Sequence, residues 1–206
     1  RFEGDEVKPM KSFDADGRVI YLSTFSKILA PGLRVAWAVA SEEIITKLTI
    51  AKQSTDLCSN TFGQWIAHQY LYRGYVDRHV LKICQLYKSK RDTMLSAMKE
   101  HFPEGTVWTK PLGGLFTWAT LPAHIDTREM FELALAKNVA YVHGSAFYPD
   151  GTGRNTMRLN FSYPTDGDIV EGVKRLGCVI REEMSLPSTQ AKRKTQEKMT
   201  GMIPGV

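Results

Sequence analysis

Ser23-Thr24-Phe25-Ser26-Lys27-Ile28-Leu29-Ala30-Pro31-Gly32-Leu33-Arg34 lies between two apolar runs, Val19–Leu22 and Val35–Ala40. The flanking runs predict strands, the first of them buried, and the Pro-Gly pair predicts a turn between them. Hydroxyls stand three and one residues before Lys27, and Arg34 stands seven after it. A phosphate needs several donors converging from one side, and hydroxyls with a guanidinium fork supply them. A lysine beside such a cradle, under an apolar roof, can act as a nucleophilic amine toward an aldehyde cofactor. The same stretch also reads as an ordinary Ser/Thr-rich surface turn with a solvated lysine.

Downstream of this loop the pattern is mixed. Ser41-Glu42-Glu43 reads as a helix start, with a capping hydroxyl and acids in the first turn. Residues 61–102 are helical in period, with Gly74 as the break between two helices. In the second of these, Val76, Val80, Ile83, Leu86, Met94, Leu95 and Met98 share one side. Lys88, Lys90, Arg91 and Asp92 are expected mostly away from it. Strands are expected at Val107–Thr109, Leu115–Leu121, Val139–Val142 and Met157–Phe161. Helices are expected at Thr127–Lys137, capped by Thr127, and at Thr165–Met184.

The segment from Thr156 to Ser162 alternates. Met157, Leu159 and Phe161 point one way, and Thr156, Arg158, Asn160 and Ser162 point the other. An arginine in mid-strand among core residues needs a partner for its charge. A structural carboxylate of the chain and a bound carboxylate ligand both meet that need.

STFSKILAPGLR resembles the pyridoxal-phosphate lysine motif of fold-type I aminotransferases, and most closely the class I/II group. That group includes 2-aminoadipate and kynurenine aminotransferases and the aminotransferase-like domains of MocR-type regulators. The resemblance implies that Lys27 is the Schiff-base lysine and the catalytic residue, and that Thr24, Ser26 and Arg34 bind the cofactor phosphate. The strand 153–162 is similar to the family strand whose arginine grips the substrate α-carboxylate, and Arg158 matches that position. Residues 53–64 are similar to the family segment near the dimer interface, and Pro111–Phe116 to its small-domain turn. Val142–Tyr148 matches a family loop in which proline is usual where His143 stands.

The resemblance runs from residue 1 to about residue 184. It implies an α/β fold: the C-terminal portion of the fold-type I large domain (1–85) plus the α+β small domain (86–184), with a basic, disordered tail at 185–206. Arg1–Gly4 resembles the stretch just after the family's Asp-Pro-Tyr segment. On that reading the acid for the pyridine nitrogen, the ring-stacking aromatic and the phosphate loop belong to an upstream half. The chain alone is then expected to be incomplete and inactive. The implied activity is an aminotransferase, moving an amino group between an amino acid and a 2-oxo acid with pyridoxal 5'-phosphate. The alternative is a non-catalytic, effector-binding domain of a MocR-type transcriptional regulator.

Composition sets the remaining bounds. The chain has 206 residues, 43% hydrophobic and 24% charged, as in an ordinary globular protein. No stretch approaches the ~18 apolar residues of a membrane span. The polar, acidic N-terminus is not a signal peptide, and without an initiator Met the chain is expected to begin inside a longer one. Net charge is +5. Lys192, Arg193, Lys194 and Lys198 concentrate it in the tail. No basic face interleaved with aromatics exists in the body, so a nucleic-acid partner is not expected for this chain. Cys58, Cys84 and Cys178 are isolated, and no histidine stands at metal-ligand spacing, so neither a disulfide framework nor a metal site is expected. Isolated thiols fit a cytoplasmic protein. A large-domain sheet cut short leaves a strand edge exposed, which predicts a homodimer or larger assembly.

Overall fold

A computed structural model describes residues 1–185; the expectation for the tail after Ser185 lies outside them. The chain is mixed α/β and divides into two compact units, Arg1–Leu86 and Tyr87 onward.

The first unit is built around one hairpin. Strands β1 (Tyr21–Thr24) and β2 (Ala36–Val39) pair antiparallel, with Tyr21 opposite Val39 and Thr24 opposite Ala36. Helix α1 (Glu42–Asp56) follows, with Ser41 at its N-cap in extended conformation but without a side-chain cap bond. Helix α2 (Thr61–Tyr72) is capped by Asn60, whose side chain accepts from the Gly63 amide at 3.2 Å. Gly74, at φ 65°, ends α2 and lets α3 (Tyr75–His101) begin. The core of this unit is small: Phe25, Gly63, Ala67 and Val76 are its buried residues. Leu22 is 71% exposed, so β1 is not the buried strand that its apolar run suggests. The hairpin has no third strand among the described residues.

The second unit is a four-stranded antiparallel sheet backed by helices. Its strands are β3 (Val107–Trp108), β4 (Phe116–Thr120), β5 (Val142–His143) and β6 (Thr156–Asn160), in spatial order β3-β4-β6-β5. Helices α4 (Thr127–Ala136) and α5 (Asp166–Ser185) complete it. On one sheet face Thr117, Ala119, Met157 and Leu159 are buried with Met98, Met130, Ala134, Val173 and Leu176. On the other face Phe116, Trp118 and Arg158 are only half-buried. Gly177 lets α5 approach closely, because a Cβ there would collide with the His101 carbonyl. The start of α5 is held by a reciprocal cap: Thr165 Oγ1 donates to Asp168 at 2.6 Å and accepts from the Asp168 amide at 3.2 Å.

Three local expectations are corrected here. Arg91 is not on a solvated helix face; it is 1% exposed. Asp126, not Thr127, caps α4, accepting from the Arg128 amide at 2.9 Å. The Thr127 side chain is fully buried, and its hydroxyl lies 2.7 Å from the Thr156 carbonyl. Strand β5 begins at Val142 rather than Val139, because the chain is still leaving α4. Asn138 turns left-handed at φ 59°, and the Val139 amide donates back to Ala134 at 2.9 Å.

Candidate functional site

The predicted site residues fall into two clusters, one in each unit. The first lies on the loop joining β1 to β2. The Phe25 amide donates to the Val35 carbonyl at 3.1 Å. The Phe25 carbonyl then accepts from Ile28 (3.3 Å), Leu29 (2.9 Å) and Ala30 (3.2 Å). The ring of Phe25 is buried against Trp37, with centroids 4.8 Å apart. With Phe25 turned inward, its neighbours face out.

Thr24 and Ser26 meet there, their hydroxyl oxygens 2.9 Å apart. Thr24 Oγ1 also accepts from the Ser26 amide at 3.1 Å and lies 3.1 Å from the Val35 carbonyl. A hydroxyl has one proton, so Thr24 donates to Val35 or to Ser26 at any moment. When Thr24 donates to Ser26, the Ser26 hydroxyl keeps its own proton to offer outward. Lys27 follows directly and is exposed. The apolar roof expected over it is not present in this unit.

Arg34 closes the loop. It sits in the left-handed region at φ 54°, ψ 36°, and its Nη1 donates to the Pro31 carbonyl at 3.0 Å. A non-glycine residue in that region costs roughly 1–2 kcal/mol. Strain of this kind concentrates where a side chain must be aimed. Helix α2 clamps the loop from behind: a Cβ on Gly63 would come within 2.9 Å of the Leu33 carbonyl. The structure thus brings Thr24 and Ser26 into contact, while Arg34 bonds to its own loop rather than to either hydroxyl.

The second cluster surrounds Arg158 on β6. Trp118 of β4 and Val142 of β5 stand directly across from it. Its guanidinium carbon lies 4.1 Å from the centroid of Phe116 and 4.5 Å from that of Phe147. Phe147 in turn meets Trp118 edge-on at 5.4 Å. Among the described residues no carboxylate forms an ion pair with Arg158, and its buried Nε has no hydrogen-bond partner. The charge is therefore compensated by ring faces rather than by the protein carboxylate that the strand alone allowed.

Sequence reasoning missed Phe116 and Phe147. The signal available was weak: Phe116 alternates with Trp118 on β4, and Phe147 ends the loop after His143. His143 itself takes φ −63°, the value a proline ring would impose, and its Nδ1 lies 2.8 Å from Ser145 Oγ.

The sequence profile of the family described as aminotransferase class I and II matches residues 3–176. The chain belongs to that family. Over 184 residues this chain is 56% identical to an aromatic-amino-acid aminotransferase of Thermococcus litoralis, covering 89% of the chain and 44% of the relative. A kynurenine aminotransferase of Pyrococcus horikoshii, solved with PMP, KYN as substrates and KYA as products, superposes with a TM-score of 0.88. That match is at 53% identity and covers 90% of this chain and 46% of the other. The α-aminoadipate aminotransferase of Thermus thermophilus, complexed with N-(5'-phosphopyridoxyl)-L-leucine, has a TM-score of 0.86 at 35% identity over 90% of this chain and 48% of its own. Transcriptional regulators of the helix-turn-helix type are less similar, one from Bacillus subtilis being 34% identical over 180 residues, which are 86% of this chain and 37% of the regulator. The chain spans less than half the length of the aminotransferases it matches. Among the described residues no helix is long and apolar enough to cross a membrane.

Proposed function

We propose that this chain supplies the lysine and both arginines of a pyridoxal-phosphate-dependent aminotransferase acting between an amino acid and a 2-oxo acid. The observation that carries the reading is the contact between the Thr24 and Ser26 hydroxyls, one residue before an outward-facing lysine. Hydroxyls paired in this way, with a guanidinium on the same loop, match the donor set a phosphate requires. In the proposal Thr24, Ser26 and Arg34 would hold the phosphate of the cofactor, and Lys27 would supply the amine that condenses with its aldehyde with loss of water. The bound cofactor supplies the electron sink that withdraws charge from the substrate Cα. Lys27 would then serve as the base that takes the proton from the substrate Cα and as the acid that gives it back. Arg158 fixes the substrate carboxylate and with it the direction of the Cα–H bond. The identities of the relatives favour this over the regulator reading, since the regulators match less closely.

The large domain is proposed to end near residue 85 and the small domain to occupy 86–184. A homodimer is proposed on the apolar surface of α2, where Phe62, Trp65 and Tyr72 are 69%, 58% and 81% exposed. Exposed apolar side chains on one helix support that reading. The unpaired cysteines fit the reducing cytoplasm.

The test is a visible-absorbance titration with pyridoxal phosphate of the chain and of a longer protein in which it is joined to the N-terminal half of an aminotransferase relative, each beside Lys27→Ala. A Lys27-dependent band that shifts on adding an amino acid and yields a 2-oxo acid is the expected result for the longer protein. A Lys27-dependent band without turnover in the longer protein favours the regulator. An absence of any Lys27-dependent band in both proteins overturns the cofactor assignment.

A further inference from the structure

We propose that Phe116 and Phe147 are positioning residues that clamp the Arg158 guanidinium between their ring faces and leave its edge open to a ligand carboxylate. The proposal rests on the reading of Arg158 as the carboxylate-binding residue.

A half-buried guanidinium needs compensation for its charge. A protein carboxylate would provide it, but would also occupy the N–H donors that a ligand must use. Ring faces provide roughly 0.5–2 kcal/mol of electrostatic attraction and take no donor in the guanidinium plane. The two centroids lie 4.1 Å and 4.5 Å from the guanidinium carbon. Both rings therefore pack against the same guanidinium. In the proposal the two rings cover its faces and confine approach to the plane of the fork. That is the approach a bidentate carboxylate makes.

Arg158 Nε adds a second, independent pointer. It is buried and has no partner among the described residues. A buried donor left unpaired costs about 1–3 kcal/mol, which an incoming acceptor relieves. The clamp itself is held from both sides. Phe116 stands on β4 diagonal to Arg158, because Trp118 is the residue directly across. Phe147 is carried by the short turn Gly144–Phe147 and braced edge-on by Trp118.

The chain labelled with 15N-arginine gives the test, with pyruvate as the probe and chloride as the ionic-strength control. The Arg158 Nε–H resonance is assigned by its loss in Arg158→Met. It is expected upfield of the other arginines, shielded by the two rings, and moves saturably with pyruvate. Phe116→Leu and Phe147→Leu are each expected to remove the shielding and weaken pyruvate about three- to tenfold. Phe116→Tyr and Phe147→Tyr, which keep the ring, are expected to retain both, and unchanged signals from the other arginines verify the fold. Unaltered pyruvate affinity in both leucine variants overturns the clamp and leaves Arg158 as the carboxylate residue. No pyruvate effect on Arg158 in the unsubstituted chain overturns the carboxylate reading and the clamp with it.

Discussion

Arg91 Nη1 lies 2.6 Å from the carbonyl oxygen of Pro111, and Arg91 is 1% exposed. The same guanidinium meets Asp92 Oδ1 at 2.7 Å through Nη2 and 2.8 Å through Nε. A buried cation on α3 therefore anchors the turn at Pro111–Gly114, which leads directly into β4 and Phe116. Nearby, Lys90 Nζ donates to the Pro164 carbonyl, so α3 ties down two loops through backbone oxygens.

Arg91→Met is expected to destabilise the second unit by about 2–4 kcal/mol, because it strips a buried carbonyl of its donor and breaks a partly buried ion pair. Arg91→Lys keeps the charge but loses the fork, and is expected to recover only part of that loss. Urea denaturation followed by far-UV circular dichroism measures both. Hydrogen exchange should accelerate first at residues 109–116. Unchanged exchange there would show that the turn holds itself.

Thr127→Val tests a buried hydroxyl. Thr127 Oγ1 lies 2.9 Å from the Arg154 carbonyl and 2.7 Å from that of Thr156, so its single proton bridges α4 to the start of β6. The valine keeps the shape and removes the donor. A loss of about 1–3 kcal/mol in unfolding free energy is expected, with Thr127→Ser near the unsubstituted chain.

Gly144 allows the turn carrying Phe147 to lie against β6. A Cβ there would collide with Thr156 Oγ1 and the Gly153 carbonyl. Gly144→Ala is expected to cost about 1–3 kcal/mol, read from the thermal midpoint. It should also displace Phe147, and so lower the shielding of the Arg158 Nε–H signal without any change at Phe116.

Asp14 gives the chain an acid-dependent contact. A hydrogen bond from Lys11 at 2.7 Å, then one from the Val19 amide at 3.1 Å, hold its carboxyl down to about 2 from the ordinary 3.8. The folded value lies below the unfolded one, so the contribution is intact above the unfolded value. It disappears as pH falls through about 2. Relative to Asp14→Asn, the unsubstituted chain is expected to lose stability as pH drops from about 4 to about 2. Parallel acid dependence of the two proteins would sink the assignment.

Where a structural feature is local, the sequence determined it. The alternation of Thr156–Asn160 puts Met157 and Leu159 inward and Arg158 on the opposite face, because the strand period is a property of the backbone itself. The break at Gly74 follows from a residue that tolerates a positive φ, and the apolar spacing of α5 from the helical period. The order of hydroxyls, lysine and arginine on the loop after β1 was likewise readable, because one short turn carries all of them.

What each of these side chains meets was set by long-range packing. Arg91 belongs by spacing to a solvated face, but the Pro111 turn folds over it from twenty residues away. Thr127 has the composition of a helix cap, but β6 passes close enough to take its hydroxyl. Leu22 has the character of a core residue, but its unit brings nothing to cover it. Arg158 needs a partner by its burial, and the fold answers with the rings of Phe116 and Phe147. Periodicity reports which face a residue occupies; its partner is set by chain segments distant in sequence, whose approach is fixed by packing.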